Sequence, residues 1–187
     1  LLRKTGMSPD HLTILGIAFA VVASFAIGTG ALRGGLVLVI LAAVPDMLDG
    51  ALAKASGTSS QRGAFFDSVV DRVTDSVLFG GVAWYFASEK DPHLVLLPMA
   101  IMGVSSLISY ERAKAEALGL YAKGGLMERA ERIVVLCIGL LFDSLLVPIM
   151  WIMLVLTVIT AVQRFVQVWR QAEVSSTTQE KRDVRQG

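Results

Sequence analysis

"PDMLDGALAKASGTSSQRGAFFDSVVDRVTD" runs from Pro45 to Asp75 and carries five aspartates in an otherwise oily chain. Asp46 and Asp49 are three apart, and Asp67, Asp71 and Asp75 are four apart. On helices each set falls on one face. Steps of four drift only about 40° around the axis, so the second set forms a narrow stripe about 12 Å long. Between the sets, "AKASGTSSQRG" reads as a short Gly/Ser/Thr loop. The reading is two helices whose acidic faces meet at one end of the pair.

The chain around this stretch does not have the make-up of a soluble domain. Apolar residues reach 54% and charged ones only 18%, with a mean hydropathy of +0.63. Apolar runs near the roughly 20 residues needed to cross a hydrocarbon core recur throughout. They do not alternate as β-barrel strands do. The fold expected is all-α, a polytopic membrane protein.

Six spans are expected: Leu12 to Ile27, Gly34 to Leu52, Ala64 to Phe86, His93 to Ala117, Glu131 to Phe142 with room for a start before Glu131, and Leu146 to Trp169. "SPDHLT" caps the first, with Pro9 in its opening turn. Residues 1–170 form one transmembrane domain, and 171–187 are read as a polar, frayed cytoplasmic tail. The sequence starts at Leu1 rather than Met, so residues are expected upstream. Leu1 to Asp10 has charge but no apolar core or cleavage site, so no secretory signal is expected within it. Cys137 is the single cysteine, so no intrachain disulfide is possible.

With the N-terminus inside, fifteen of the seventeen Lys and Arg residues fall on the cytoplasmic side, and only Arg33 and Lys90 outside. An even number of spans keeps that bias, which supports retaining the short fifth. Both acidic sets then sit at the inner leaflet. The expected location is the cell's inner membrane, with the site facing the cytoplasm. The net charge is +1, and no nucleic-acid partner is expected.

An ionised Asp near a membrane centre costs about 2.5–3.5 kcal/mol on insertion scales, and neighbouring carboxylates repel. Something positive must offset this. Oxygen-only ligands suit hard divalent cations, Mg²⁺ or Mn²⁺. Zinc is disfavoured, because His11 and His93 lie far from the cluster in sequence and Cys137 stands alone. Four carboxylates could hold one ion, or two some 3.5–4 Å apart. Gly50 and Gly63 flank the acids and would let a ligand approach the backbone.

The pattern Asp46-x2-Asp49-Gly50-x2-Ala53-Lys54-x8-Gly63-x3-Asp67-x3-Asp71 resembles the signature of the CDP-alcohol phosphotransferase family of membrane enzymes. The resemblance covers about Ser8 to Arg170. It implies six transmembrane helices in a homodimer, and a divalent metal site, with two ions expected. The metals would be held by Asp46, Asp49, Asp67 and Asp71. It also implies a reaction: a hydroxyl attacks the β-phosphorus of a CDP-linked lipid, CMP leaves, and Asp71 serves as general base. CDP-lipid contacts fall by resemblance on Asp10, Thr13, Gly50, Ala53, Lys54, Ser60 and Gly63. Lys54 stands where the family usually has Arg, which keeps the charge but loses the bidentate fork.

A second constellation bears on the acceptor alcohol. Arg112, Lys114, Arg132 and Arg164 recur through "SYERAKAEALGLYAKGGLMERAERIVV" and the later apolar "LTVITAVQRFVQVW". An Arg inside an apolar run faces a cavity, pairs with an acid or snorkels. If the four converge they make a phosphate pocket, and the acceptor itself carries phosphate. These segments look like the actinobacterial phosphatidylinositol-phosphate synthase branch of the family. That likeness implies CDP-diacylglycerol and inositol 1-phosphate as substrates, with those four residues on the acceptor phosphate. The alternatives are a branch using glycerol 3-phosphate and, from another class, a divalent-cation transporter, since intramembrane aspartates also mark ion paths.

Overall fold

The computed structural model describes the backbone of residues 9–56 and 61–186, and side chains over 13–44 and 61–173. These residues contain helix and no strand. α1 spans Pro9–Gly28, α2 Leu32–Ser56 and α3 Gln61–Glu89. A 3-10 turn at Pro92–Val95 leads into α4, Leu96–Ala117, followed by α5, Arg129–Leu141, and α6, Asp143–Gln186. Six helices occur where six spans were expected. Among the described residues, two are long and apolar enough to cross a membrane, Pro92–Ala117 and Asp143–Glu173. Thr13–Gly28 and Leu32–Val44 are shorter apolar helices.

Each helix buries a narrow stripe and leaves a broad apolar face outside. On α1 the buried stripe is Gly16, Ala20, Ala23 and Ile27; on α2 it is Leu32, Gly35, Val39 and Ala42. On α6 it is Leu146, Met150, Met153, Thr157, Thr160 and Arg164. The opposite faces expose Phe25, Ile40, Trp151, Ile152, Val155, Val162, Phe165 and Trp169. Apolar surface on this scale is stable against lipid, not water. The protein is a membrane protein.

Lipid tails are as apolar as Leu, so close packing of small residues, rather than the hydrophobic effect, holds such helices together. α1 packs on α2 and α3, α3 on α4, and α4 and α5 on α6, while α5 also meets α2. The α1–α3 crossing depends on Gly81: a Cβ there would lie 2.6 Å from the Ser24 carbonyl oxygen. Gly81→Val should therefore cost about 1–3 kcal/mol. The check is the thermal unfolding midpoint in detergent, and an unchanged midpoint would mean that the crossing is not the contact described.

The chain alternates direction, so the bundle has two distinct ends. At one, Asp143 accepts from Tyr85 Oη at 2.7 Å and from Lys90 Nζ at 3.1 Å, tying α6 to α3. At the other, the first half of α3 meets the start of α5, and the later part of α6 holds the loop before α5. α6 continues as helix to Gln186, past the expected end near Trp169. Gln171, read from sequence as tail, docks on the α4–α5 loop. It accepts from Tyr121 N at 3.0 Å and donates to Tyr121 O at 2.7 Å. That pair satisfies backbone groups of the loop, which a frayed tail would leave to water.

Candidate active site at the basic end of the bundle

Asp67 and Asp71 lie one turn apart in the first half of α3, with Asp67 exposed and Asp71 half-buried. Asp75, one turn further, is buried. Carboxylates that sink into the bundle in file need positive charge, and α5 supplies it. Arg129 Nη1 stands 2.8 Å from Asp71 Oδ1, and its Nε donates to Asp75 Oδ1 at 3.3 Å. Arg132 Nη2 donates to Asp75 Oδ2 at 2.9 Å. Arg72 donates to the Ser68 carbonyl at 2.6 Å and to Ser109 Oγ at 2.7 Å, joining α3 to α4 beside Asp71.

The match is one of spacing. Asp71 and Asp75 are i,i+4 on α3, and Arg129 and Arg132 are i,i+3 on α5, so each pair presents one face to the other. Arg132 is 4% exposed, and its Nη1 donates to the Met127 carbonyl at 3.3 Å. Its Nε is buried with no hydrogen-bond partner. An unfilled donor on a buried guanidinium is costly in a protein interior.

A small cavity of about 20 Å³ opens where α1, α2, α3 and α5 meet. Thr13, Ala42, Asp71, Thr74 and Arg129 are among its walls. Thr13 and Asp71, expected at a nucleotide and a metal respectively, therefore share one space. Ala42 precedes Asp46 by four residues and Asp49 by seven, so by helical spacing all three belong to one face of α2. Ala42 itself borders the space that Asp71 lines. The side chains of Asp46, Asp49, Gly50, Ala53 and Lys54 lie outside the described residues, as do Asp10 and Ser60. Gly63 is exposed in the first turn of α3, one turn before Asp67.

Among the described residues no three ligating side chains form a metal cluster, since two of the four expected ligands lie outside them. The described half of the set fits a hard cation. It offers carboxylate oxygens only, and Asp71 Oδ1 already holds a guanidinium at 2.8 Å.

The four expected acceptor residues do not share a contact. Arg112 is exposed and pairs with Glu116 on its own helix at 3.0 Å, and Lys114 is exposed. Arg164 is buried and serves the loop between α4 and α5. It donates to the Gly124 carbonyl at 3.0 Å, the Ile108 carbonyl at 3.4 Å and Glu128 Oε1 at 2.8 Å. Thr160, one turn earlier, accepts from Met127 N at 3.0 Å. Gly125, at φ 150°, presses against Thr160 where a Cβ would collide. The loop is thereby clamped onto α6, and Glu128 caps the helix that carries Arg129 and Arg132. Beside it a cleft of about 230 Å³ is lined by Lys123, Gly124, Gly125, Gln163, Arg164 and Gln167.

The sequence reading places Asp75 in the acidic stripe and Arg129 in the charge count but gives neither a role. The available signal is the complementary spacing of "DRVTD" and "RAER". Nothing in either segment alone says that they face one another.

Comparison with known proteins places this arrangement. The chain is 40% identical to a phosphatidylinositol phosphate synthase of Mycobacteroides abscessus over 171 residues, 87% of this chain and 78% of that protein. It is 36% identical to one from Streptomyces avermitilis over 193 residues, 95% of this chain and 79% of that protein. The fold matches a crystal structure of the Mycobacterium tuberculosis phosphatidylinositol phosphate synthase with CDP-DAG bound. The TM-score is 0.82 at 36% identity, covering 90% of this chain and 89% of that one. A second crystal structure of that enzyme, in complex with manganese and citrate, matches at a TM-score of 0.83 and 35% identity, over 90% and 85% of the two chains. Residues 7–163 match the CDP-alcohol phosphatidyltransferase family. The carboxylate stripe, the helical bundle and this match over most of the chain agree: the protein belongs to the CDP-alcohol phosphatidyltransferase family and is a transferase.

Proposed function

We propose that the protein is a phosphatidylinositol phosphate synthase, which transfers the phosphatidyl group of CDP-diacylglycerol to myo-inositol 1-phosphate and releases CMP. It works as a six-span homodimer in the inner membrane, with this end of the bundle towards the cytoplasm. The observation that carries the reading is the meeting of Asp71 and Asp75 with Arg129 and Arg132 of α5. A carboxylate that can take a proton stands one turn from Asp75, which holds a buried guanidinium with a donor to spare. An acceptor carrying both a hydroxyl and a phosphate fits that pair. The relatives that match most of the chain carry the same activity in their names.

Asp46, Asp49, Asp67 and Asp71 would hold Mg²⁺ or Mn²⁺, two ions in the full site. Bound there, the ions would neutralise the diphosphate and stabilise the departing CMP. The remaining steps belong to the chain. Asp71 accepts the proton of the acceptor hydroxyl. The hydroxyl oxygen bonds to the β-phosphorus as the bond from that phosphorus to the CMP oxygen breaks. Thr13 contacts the nucleotide, a role supported by its place at the same cavity as Asp71. Arg132 binds the acceptor phosphate through its spare Nε, and Arg164, with Arg112 and Lys114, completes that pocket once substrate is bound. As a transferase, the protein needs no ion path across the bilayer.

The test is CMP release by purified protein given labelled CDP-diacylglycerol and one acceptor at a time. Inositol 1-phosphate should outpace glycerol 3-phosphate by at least about tenfold, the smallest ratio that a polar pocket of this kind is expected to achieve. A faster reaction with glycerol 3-phosphate would reject the assignment.

A further inference from the structure

Arg129 is the one cation within 3 Å of Asp71 among the ion pairs described. Its guanidinium is fixed at two points, by Nη1 to Asp71 Oδ1 and by Nε to Asp75 Oδ1. Asp75 is in turn held on its other oxygen by Arg132, whose side chain is 4% exposed. Arg129 therefore cannot swing freely. It is a charge set in place by a buried partner and aimed at a carboxylate that the proposed reaction needs for metal.

From this geometry we infer that Arg129 is a resident counter-ion, which Asp75 and Arg132 hold against Asp71 so that it occupies the position of positive charge until a divalent cation arrives. The inference rests on the metal reading above and extends it. Without such a charge the carboxylates of α3 would repel one another. With it, the empty site is neutral enough to stay assembled in a membrane. The device has a cost: a guanidinium and a divalent ion compete for Asp71 and repel each other. Metal affinity is thus set below what the carboxylates alone would give. Asp75 tempers that cost, because its negative charge offsets part of the guanidinium's positive field at the site.

Two substitutions should therefore move metal binding in opposite directions. The full chain in detergent is titrated with Mn²⁺ alone, with free Mn²⁺ followed by its paramagnetic resonance signal, and thermal unfolding is recorded without metal. Arg129→Gln is expected to bind Mn²⁺ about tenfold tighter. Asp75→Asn should bind it about tenfold more weakly, because both arginines then lose a balancing charge. Arg129→Lys should stay near wild type. Arg129→Met, which keeps an unbranched stem, replaces Gln if that variant fails to fold. A purely structural Arg129 would give equal or weaker binding in a folded neutral variant, and that result overturns the inference. Unfolding of both neutral variants overturns it as well, since Arg129 would then be a strut. Unchanged binding in Asp75→Asn removes Asp75 from the device. An absence of Mn²⁺ binding by the wild-type protein instead overturns the metal reading beneath it.

Discussion

Asp71→Asn is expected to lower CMP release by about three orders of magnitude, within the usual range for removing a general base, while leaving CDP-diacylglycerol binding largely intact. Asn matches Asp in shape, so the packing of α3 against α1 and α5 is retained. It cannot accept the acceptor's proton, and it forfeits the 2.8 Å pair with Arg129. Asp71 has two proposed roles, base and metal ligand, and they separate by titration. If the loss comes from the metal, raising Mn²⁺ restores turnover; if it comes from the base, turnover stays low when the site is saturated. Substantial activity in Asp71→Asn at ordinary metal concentrations would remove Asp71 from the chemistry.

The second large effect is expected at Arg132. Arg132→Ala removes one partner of a buried ion pair, which costs about 3–5 kcal/mol when the remaining charge is stranded. Asp75 keeps Arg129 at 3.3 Å, so the lower end of that range applies. The acceptor KM should rise more than the CDP-lipid KM, because the acceptor phosphate is proposed to bind the spare Nε of Arg132. Stability and function can be told apart with one further variant. Arg132→Met combined with Asp75→Leu replaces the pair by apolar residues of similar volume, an exchange that is often neutral or stabilising. The double variant should recover the unfolding midpoint and leave the acceptor KM high. If the acceptor KM recovers together with the midpoint, Arg132 is structural only.

Several elements are legible in the chain because their signals are local. Helix periodicity is written in every turn, and the buried stripes of α1, α2 and α6 follow it residue by residue. Pro92 and the Asp91 cap mark the break between α3 and α4, where Asp91 Oδ1 accepts from His93 N at 3.0 Å. α5, expected from Glu131 to Phe142, is a 13-residue helix over Arg129–Leu141. Its start before Glu131 agrees with the room left there, and the sequence leaves the exact residue open because the Glu128 cap makes no side-chain hydrogen bond and so lacks the usual signature. Arg112 and Arg164 show the opposite failure. Sequence puts both at the basic end, but charge alone does not reveal that Arg112 turns to Glu116 while Arg164 braces a loop.

What the amino-acid order determined by itself is the class of molecule and the acidic face. Hydropathy, basic-residue asymmetry and the three- and four-residue steps of aspartate need only the geometry of a single helix. The tertiary structure alone decided which positive charge answers those acids. Arg129 and Asp71 are 58 residues apart in the chain yet within 2.8 Å in space. No local rule brings them together; the packing of α5 among its neighbours does. A buried carboxylate must find a counter-charge wherever the fold delivers one, and here the fold delivers it from α5.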